Sequence, residues 1–306
     1  MISKRTTQFL RTRLILLAAS FLLTQLAGCE RQSHPELRGS LYFGSGQYLG
    51  RLDLRDGSTS VEANLGDVSI RQVSAFGDGN LLLTVFGPVN DTGTHRLVQY
   101  EMATGQSATL FNGQNGRYLP GMEALVYDDG SRLRVKIRAA NQREEVYLGR
   151  HKLHTRLQLV PVSDSAFIYS VGDDTKSPIF AYDVDARATT PLEKLSVACD
   201  LNGAVWIETR QQLLCRTSAS PGEASSYVFV GLDGSLHGRF RLPQLMSFQV
   251  LAHIPDQAAL VLTETWRSLI SDRPKTAVWI YQMDDDEAYR LVKDQYLGDS
   301  VVYRPD

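Results

Sequence analysis

Apolar residues recur along most of the chain in short runs of four to eight, rich in Val, Leu, Ile, Tyr and Phe and separated by Gly, Asp and Asn. This is the pattern of strands joined by turns. Clear cases are Leu81–Phe86 (LLLTVF), Phe167–Val171 (FIYSV), Tyr227–Val230 (YVFV) and Ala277–Tyr281 (AVWIY). Many of these runs are apolar at successive positions, as strands are when a sheet packs on each face. No segment after the first thirty residues carries a convincing helical period, and the expected class is all-β.

The strands recur as a unit: a first strand, an apolar second, a third ending near an acidic turn, and a polar fourth. The third strand shows it best, in Gly50-Arg51-Leu52-Asp53-Leu54, Leu97-Val98-Gln99-Tyr100-Glu101, Phe180-Ala181-Tyr182-Asp183-Val184, Val230-Gly231-Leu232-Asp233-Gly234 and Ile280-Tyr281-Gln282-Met283-Asp284. Arg132–Ile137 (RLRVKI) fits loosely. A period of about 45 residues is that of a four-stranded propeller blade. Six units are expected, at 39–66, 70–111, 116–149, 157–194, 196–242 and 248–294, the first lacking its first strand. Residues 296–304 (YLGDSVVYR) supply a strand with no unit of its own. Placed beside 40–44, it would close a ring and remove exposed sheet edges. The rhythm over 39–306 resembles the six-bladed propellers of the TolB and lactonase type, and that resemblance implies a six-bladed β-propeller closed by a C-terminal strand. Seven blades, or two separate sheets, are the alternatives.

The first thirty residues have a different pattern. Lys4, Arg5, Arg11 and Arg13 precede a short apolar run, Leu14–Leu23, and no acidic residue comes before Glu30. This is the pattern of a signal peptide. At about 1.5 Å per residue, such a run is too short to span a hydrocarbon core of about 30 Å. Leu26-Ala27-Gly28-Cys29 resembles the lipobox of bacterial lipoproteins. The resemblance implies cleavage before Cys29 and acylation of Cys29, a covalent lipid being the only prosthetic group expected. Two or three acyl chains hold stably where one is marginal. The expected organisation is therefore a cleaved signal peptide (1–28), a lipidated tether (29–38) and a propeller domain (39–306). Glu30, rather than the aspartate that resembles an inner-membrane retention signal, favours the outer membrane facing the periplasm. The periplasmic face of the inner membrane and the cell surface are the alternatives.

Removing residues 1–28 leaves 28 Lys and Arg against 34 Asp and Glu, an acidic balance that argues against nucleic acid. With Cys29 lipidated, Cys199 and Cys215 are the remaining thiols of a chain expected in an oxidising compartment. They can form a disulfide, or remain two buried apolar cysteines if they lie a full strand apart.

Candidate chemistry is sparse. His151 and His154, in Gly149-Arg150-His151-Lys152-Leu153-His154-Thr155-Arg156, are the only locally spaced histidine pair. The segment reads as a basic loop between units with no acidic third ligand in sequence, so no metal is expected. Arg150, His151, Lys152, His154 and Arg156 instead suit an anionic partner such as polysaccharide or lipid phosphate. Asp128-Asp129, Asp173-Asp174 and Asp284-Asp285-Asp286-Glu287 are assigned to turns, without the spacing of a calcium loop. There is no Gly-x-Ser-x-Gly elbow, and no residue is assigned as catalytic. Three long loops, Gly87–Thr94, Thr217–Ser226 and Arg267–Lys275, are expected on one face together with the basic loop.

The expected function is a protein-binding or scaffolding module in envelope assembly or transport, held to membrane lipid through Cys29. In anchor and architecture it resembles the propeller-bearing lipoprotein of the outer-membrane β-barrel assembly machine, which has more blades. A propeller hydrolase or lyase with a channel metal, and a carbohydrate-binding lipoprotein of an exopolysaccharide system, are the alternatives.

Overall fold

The acidic turn positions act through local hydrogen bonds. The Oδ1 atoms of Asp53, Asp56, Asp183 and Asp233 accept from the backbone N–H of Arg55, Ser58, Ala186 and Ser235 at 2.7–2.9 Å. Each reverses the chain after a third strand. The computed structural model of the protein describes residues 37–77, 79–87, 94–129, 132–137, 145–150, 157–171, 177–217, 226–242, 248–267, 274–298 and 300–306.

Hairpins joined by these turns build antiparallel sheets in chain order. β1 (Ser40–Ser45), β2 (Tyr48–Asp53) and β3 (Thr59–Asn64) belong to the first sheet. β4 (Ser69–Phe76), β5 (Asn80–Phe86), β6 (His95–Glu101) and β7 (Gln106–Asn112) form the second. The third holds β8 (Gln114–Leu119), β9 (Ala124–Asp128), β10 (Arg132–Ile137) and β11 (Glu145–Arg150). The fourth holds β12 (Leu157–Pro161), β13 (Ala166–Val171), β14 (Ile179–Asp183) and β15 (Ala188–Pro191). A six-residue helix, α1 (Glu193–Ala198), leads into the fifth: β16 (Asp200–Ile207), β17 (Gln212–Arg216), β18 (Tyr227–Val230) and β19 (Leu236–Phe240). β20 (Phe248–Ile254), β21 (Ala259–Arg267), β22 (Pro274–Gln282) and β23 (Glu287–Lys293) follow, and β24 (Val301–Arg304) returns to pair with β1.

The core lies between sheets. Leu41, Phe43 and Leu52 meet Val261, Val278 and Ile280 between the first sheet and that of β20–β23. Tyr42 and Leu49 meet Val73, Leu81 and Leu83. Leu82 and Leu97 meet Leu125 and Tyr127, and Val126 meets Phe167 and Tyr182. Ile168 and Ile179 meet Leu213 and Val230, and Leu214 and Tyr227 meet Val250 and Leu262. Polar stitches cross the same interfaces. Tyr227 Oη accepts from Val250 N at 3.1 Å, Ser74 Oγ donates to Gly116 O at 3.1 Å, and Ser300 Oγ accepts from Val73 N at 2.9 Å.

The structure corrects the sequence-based architecture in several respects. Among the described residues there are six four-stranded sheets and no seventh, so the seven-blade alternative is withdrawn. The C-terminal strand is not 296–304: only Val301–Arg304 is extended and paired, opposite Phe43–Ser40. Residues 295–298 are irregular rather than extended in a ladder, and Gly298 has a backbone φ of +75°, which favours glycine. The all-β class holds, with the short helix α1 as an addition that the strand pattern did not predict, its Leu195 buried against the fourth and fifth sheets. The concern that Cys199 and Cys215 lie too far apart is also overturned. Cys199 precedes the first residue of β16, the two Cα atoms are 5.7 Å apart, and the pair is disulfide-bonded.

Two measurements probe this scaffold. Deleting residues 301–306 exposes the edge of β1 and should cost about 3 kcal/mol or more in denaturant unfolding; an unchanged transition midpoint would rule out a structural role for β24. Replacing Cys199 and Cys215 together by Ala opens a loop with a sequence separation of 16. That should cost about 3 kcal/mol in the same assay.

Candidate functional site

The inner strands β4, β8, β12, β16, β20 and β24 pack one against the next around the central lumen. One end of this lumen carries the long connections. Phe86 pairs with His95 below Gly87–Thr94, and Arg216 pairs with Tyr227 below Thr217–Ser226. Strand pairing on the third connection runs out to Arg267 and Pro274, further than expected, which shortens it. Residues 88–93, 218–225 and 268–273 within these loops lie outside the described residues.

The same is true of most of the sequence-predicted site. Cys29, His151, Lys152, His154 and Arg156, with Asp173 and Asp174, lie outside the described residues. Arg150 is the last residue of β11, opposite Arg132, rather than part of a loop. Asp128 is also misplaced by the turn reading: it ends β9 and is only 1% exposed. Among the described residues, no three His, Cys, Asp or Glu side chains are grouped to hold a metal ion.

At the loop-bearing end, the structure instead reveals a layer of paired polar residues. Each of four inner strands places a half-buried glutamine directly opposite a buried polar residue on the second strand of its sheet. The pairs are Gln72 with Thr84, Gln114 with Asp128, Gln158 with Ser170 and Gln249 with Thr263. Gln114 Nε2 donates to Asp128 Oδ2 at 3.1 Å, and Ser170 Oγ donates to Gln158 Oε1 at 3.3 Å. Thr84 Oγ1 lies 3.4 Å from the Gln72 amide, while Thr263 Oγ1 is buried with no hydrogen-bond partner among the described residues. In the fifth sheet the same level is held by Asp200 opposite Arg216. A buried polar atom is costly unless satisfied, so the bonded pairs of this layer hold one another in a defined position. The sequence signal was a glutamine followed by a hydroxyl or acid 12 or 14 residues later.

Next to this layer stands a cationic and aromatic group. Arg71 lies 5.6 Å above the Phe86 ring, whose centroid is 5.0 Å from that of His95. Burial lowers the His95 pKa, Arg71 lowers it further, and Asp128 opposes both. Arg117 of β8 donates through Nη1 to Gly116 O at 3.0 Å, and its guanidinium rests on the Gln72 amide. These groups can donate to and accept from a polar ligand. They supply no paired nucleophile and base.

By sequence the chain matches no known protein family and no curated protein. Its structure does have relatives. TolB from Acinetobacter baumannii superposes with a TM-score of 0.59 at 11% identity, over 86% of this chain and 65% of that one. A protein described as TolB from Agrobacterium tumefaciens superposes with a TM-score of 0.58 at 15% identity, over 88% and 99% of the two chains. The fold is a β-propeller that resembles that of TolB. The same architecture is found in a nidogen/laminin complex, with a TM-score of 0.57 at 13% identity over 85% of this chain and 95% of that one.

The end of the propeller away from the loops holds a half-buried histidine. His253 of β20 has its pKa lowered to about 4 by burial and by Arg210, against the opposing pull of Asp256. Its Nε2 atom is buried with no hydrogen-bond partner among the described residues. Below pH 6.5 the unfolded chain protonates this residue while the folded chain does not until about pH 4. Its contribution to stability is therefore fully present above pH 6.5 and is lost as the pH falls towards 4. Between pH 7 and 4.5, wild type should lose about 1–2 kcal/mol more than His253→Leu in urea unfolding, after allowance for solvent screening. Parallel losses in the two proteins would refute this assignment.

Proposed function

We propose that the chain is a lipid-anchored, periplasm-facing binding module whose loop-bearing propeller mouth engages an envelope protein. The observation that carries this reading is the polar layer at Gln72, Gln114, Gln158 and Gln249, on the end where the long connections emerge. Amide side chains set on rigid inner strands offer both donors and acceptors to a partner's backbone or polar side chains. The TolB-type fold is consistent with a partner-binding role, and the nidogen/laminin structure is by its name a protein–protein assembly. The anchor is supported by Leu26-Ala27-Gly28-Cys29, and Glu30 favours the outer membrane.

Affinity capture from gently solubilised membranes tests the binding role. Wild type should retain a specific protein partner, and the combined Gln114→Ala, Gln158→Ala, Gln249→Ala variant should retain at least ten-fold less of it. Equal recovery by a folded triple variant would remove the mouth from the interface. The anchor is tested separately by metabolic labelling with palmitate. Cys29→Ala should abolish the label and leave the precursor uncleaved, whereas normal cleavage would refute acylation at this residue.

A further inference from the structure

Among the described residues, Arg117 is a cation without a counterion. It lies on the inner strand of the third sheet, just after an irregularity in the pairing of that strand between Gln114 and Arg117. Its guanidinium meets only neutral oxygens, those of Gly116 and the Gln72 amide. The ion pairs Arg51–Glu62 and Arg55–Asp306 do not involve it. By area the side chain is half-buried, yet burial alone lowers its pKa to about 10, with no neighbouring charge contributing. The two observations agree if the exposed atoms face a narrow lumen and the rest of the group is surrounded by protein. An enclosed guanidinium with neutral partners is unfavourable by itself, because desolvation is not offset by a second charge.

We propose that Arg117, with the Gln72 amide beside it, is the binding site for a carboxylate group that enters the lumen from the loop-bearing end. A guanidinium presents a planar fork of donors that matches a planar carboxylate in two parallel hydrogen bonds. One guanidinium balances the single charge of a carboxylate, whereas a phosphate dianion would remain uncompensated. Arg71 stands closer to the mouth, over Phe86, where it can draw an anion inward without contacting it in the final position. The site involves the same end of the propeller as the proposed partner interface, but its test uses small probes and does not depend on any protein partner.

The probes are D-glucuronate and N-acetylglycine, compared with their neutral counterparts glucose and N-acetylglycinamide, and with inorganic phosphate. Binding to the purified full-length chain is followed by the arginine Nε–H resonances and by the shift in melting temperature. Either carboxylate should move one arginine resonance and raise the melting temperature, and the neutral counterparts should do neither. Response to glucuronate alone assigns the carboxylate to a sugar acid, and response to N-acetylglycine alone assigns it to a peptide or amino acid. Arg117→Gln should weaken probe binding at least ten-fold while melting, without probe, at or above the wild-type temperature. Arg117→Lys should retain part of the binding. The proposal is overturned if phosphate binds and both carboxylates fail, if Arg117→Gln binds as wild type does, or if its probe-free melting temperature falls sharply. The last result would make Arg117 a structural group.

Discussion

No sheet in this protein can stand alone, because each is apolar on both faces. Leu81 and Leu83 turn toward the first sheet and Leu82 toward the third, and all three are at most 1% exposed. The adjacent positions of β5 therefore need cover on both sides, which only a neighbouring sheet on each side provides. The same holds for the first sheet, whose Leu41 and Phe43 face the sheet of β20–β23 while Tyr42 faces the second. The four-residue pairing of β24 with β1 follows from this demand: it completes a sheet whose own hairpins supply only three strands, using chain from the opposite terminus.

Where the apolar faces end, at the inner strands, hydrogen bonding replaces packing. β4, β8, β16 and β20 all carry pairing irregularities close to the lumen, which free individual residues from the ladder. The glutamines opposite Thr84, Asp128, Ser170 and Thr263 fill that edge with groups able to satisfy one another or a ligand. Rigid support and local polarity thus come from the same stretch of chain. This is how a scaffold with an apolar interior can present a defined polar site without leaving many buried atoms unpaired.

Much of the strand rhythm was legible in the sequence because it depends on local features: apolar runs such as Phe167–Val171 and Asx turns such as those at Asp53 and Asp183. Features set by neighbours in space were not legible. The turn reading failed for Asp128 because an acid beside another acid at a strand end looks like turn chemistry. Its burial is decided by Gln114, on an adjacent strand. The proximity of Cys199 and Cys215 depends on α1 bringing the chain back just before β16. The left-handed backbone of Glu123, Gln211 and Ala258, each ending a short 3-10 turn, marks a repeated first-to-second-strand turn. Its residues, Pro-Gly-Met, Glu-Thr-Arg and Pro-Asp-Gln, are too dissimilar to align by eye. The polar layer was missed for a related reason, since a lone glutamine in a strand carries no signal until its cross-strand partner is known.

The start of the described chain is held firmly. Leu37 is buried in the interface between the first sheet and that of β20–β23, and the Gln257 side chain accepts from Arg38 N and donates to Arg38 O. Gln257 belongs to the turn after β20, at the end of the propeller away from the long connections. A chain tethered through Cys29 would therefore stand on that end like a cup on its base. The polar rim would open away from the lipid, and whatever reaches it would approach from the aqueous side.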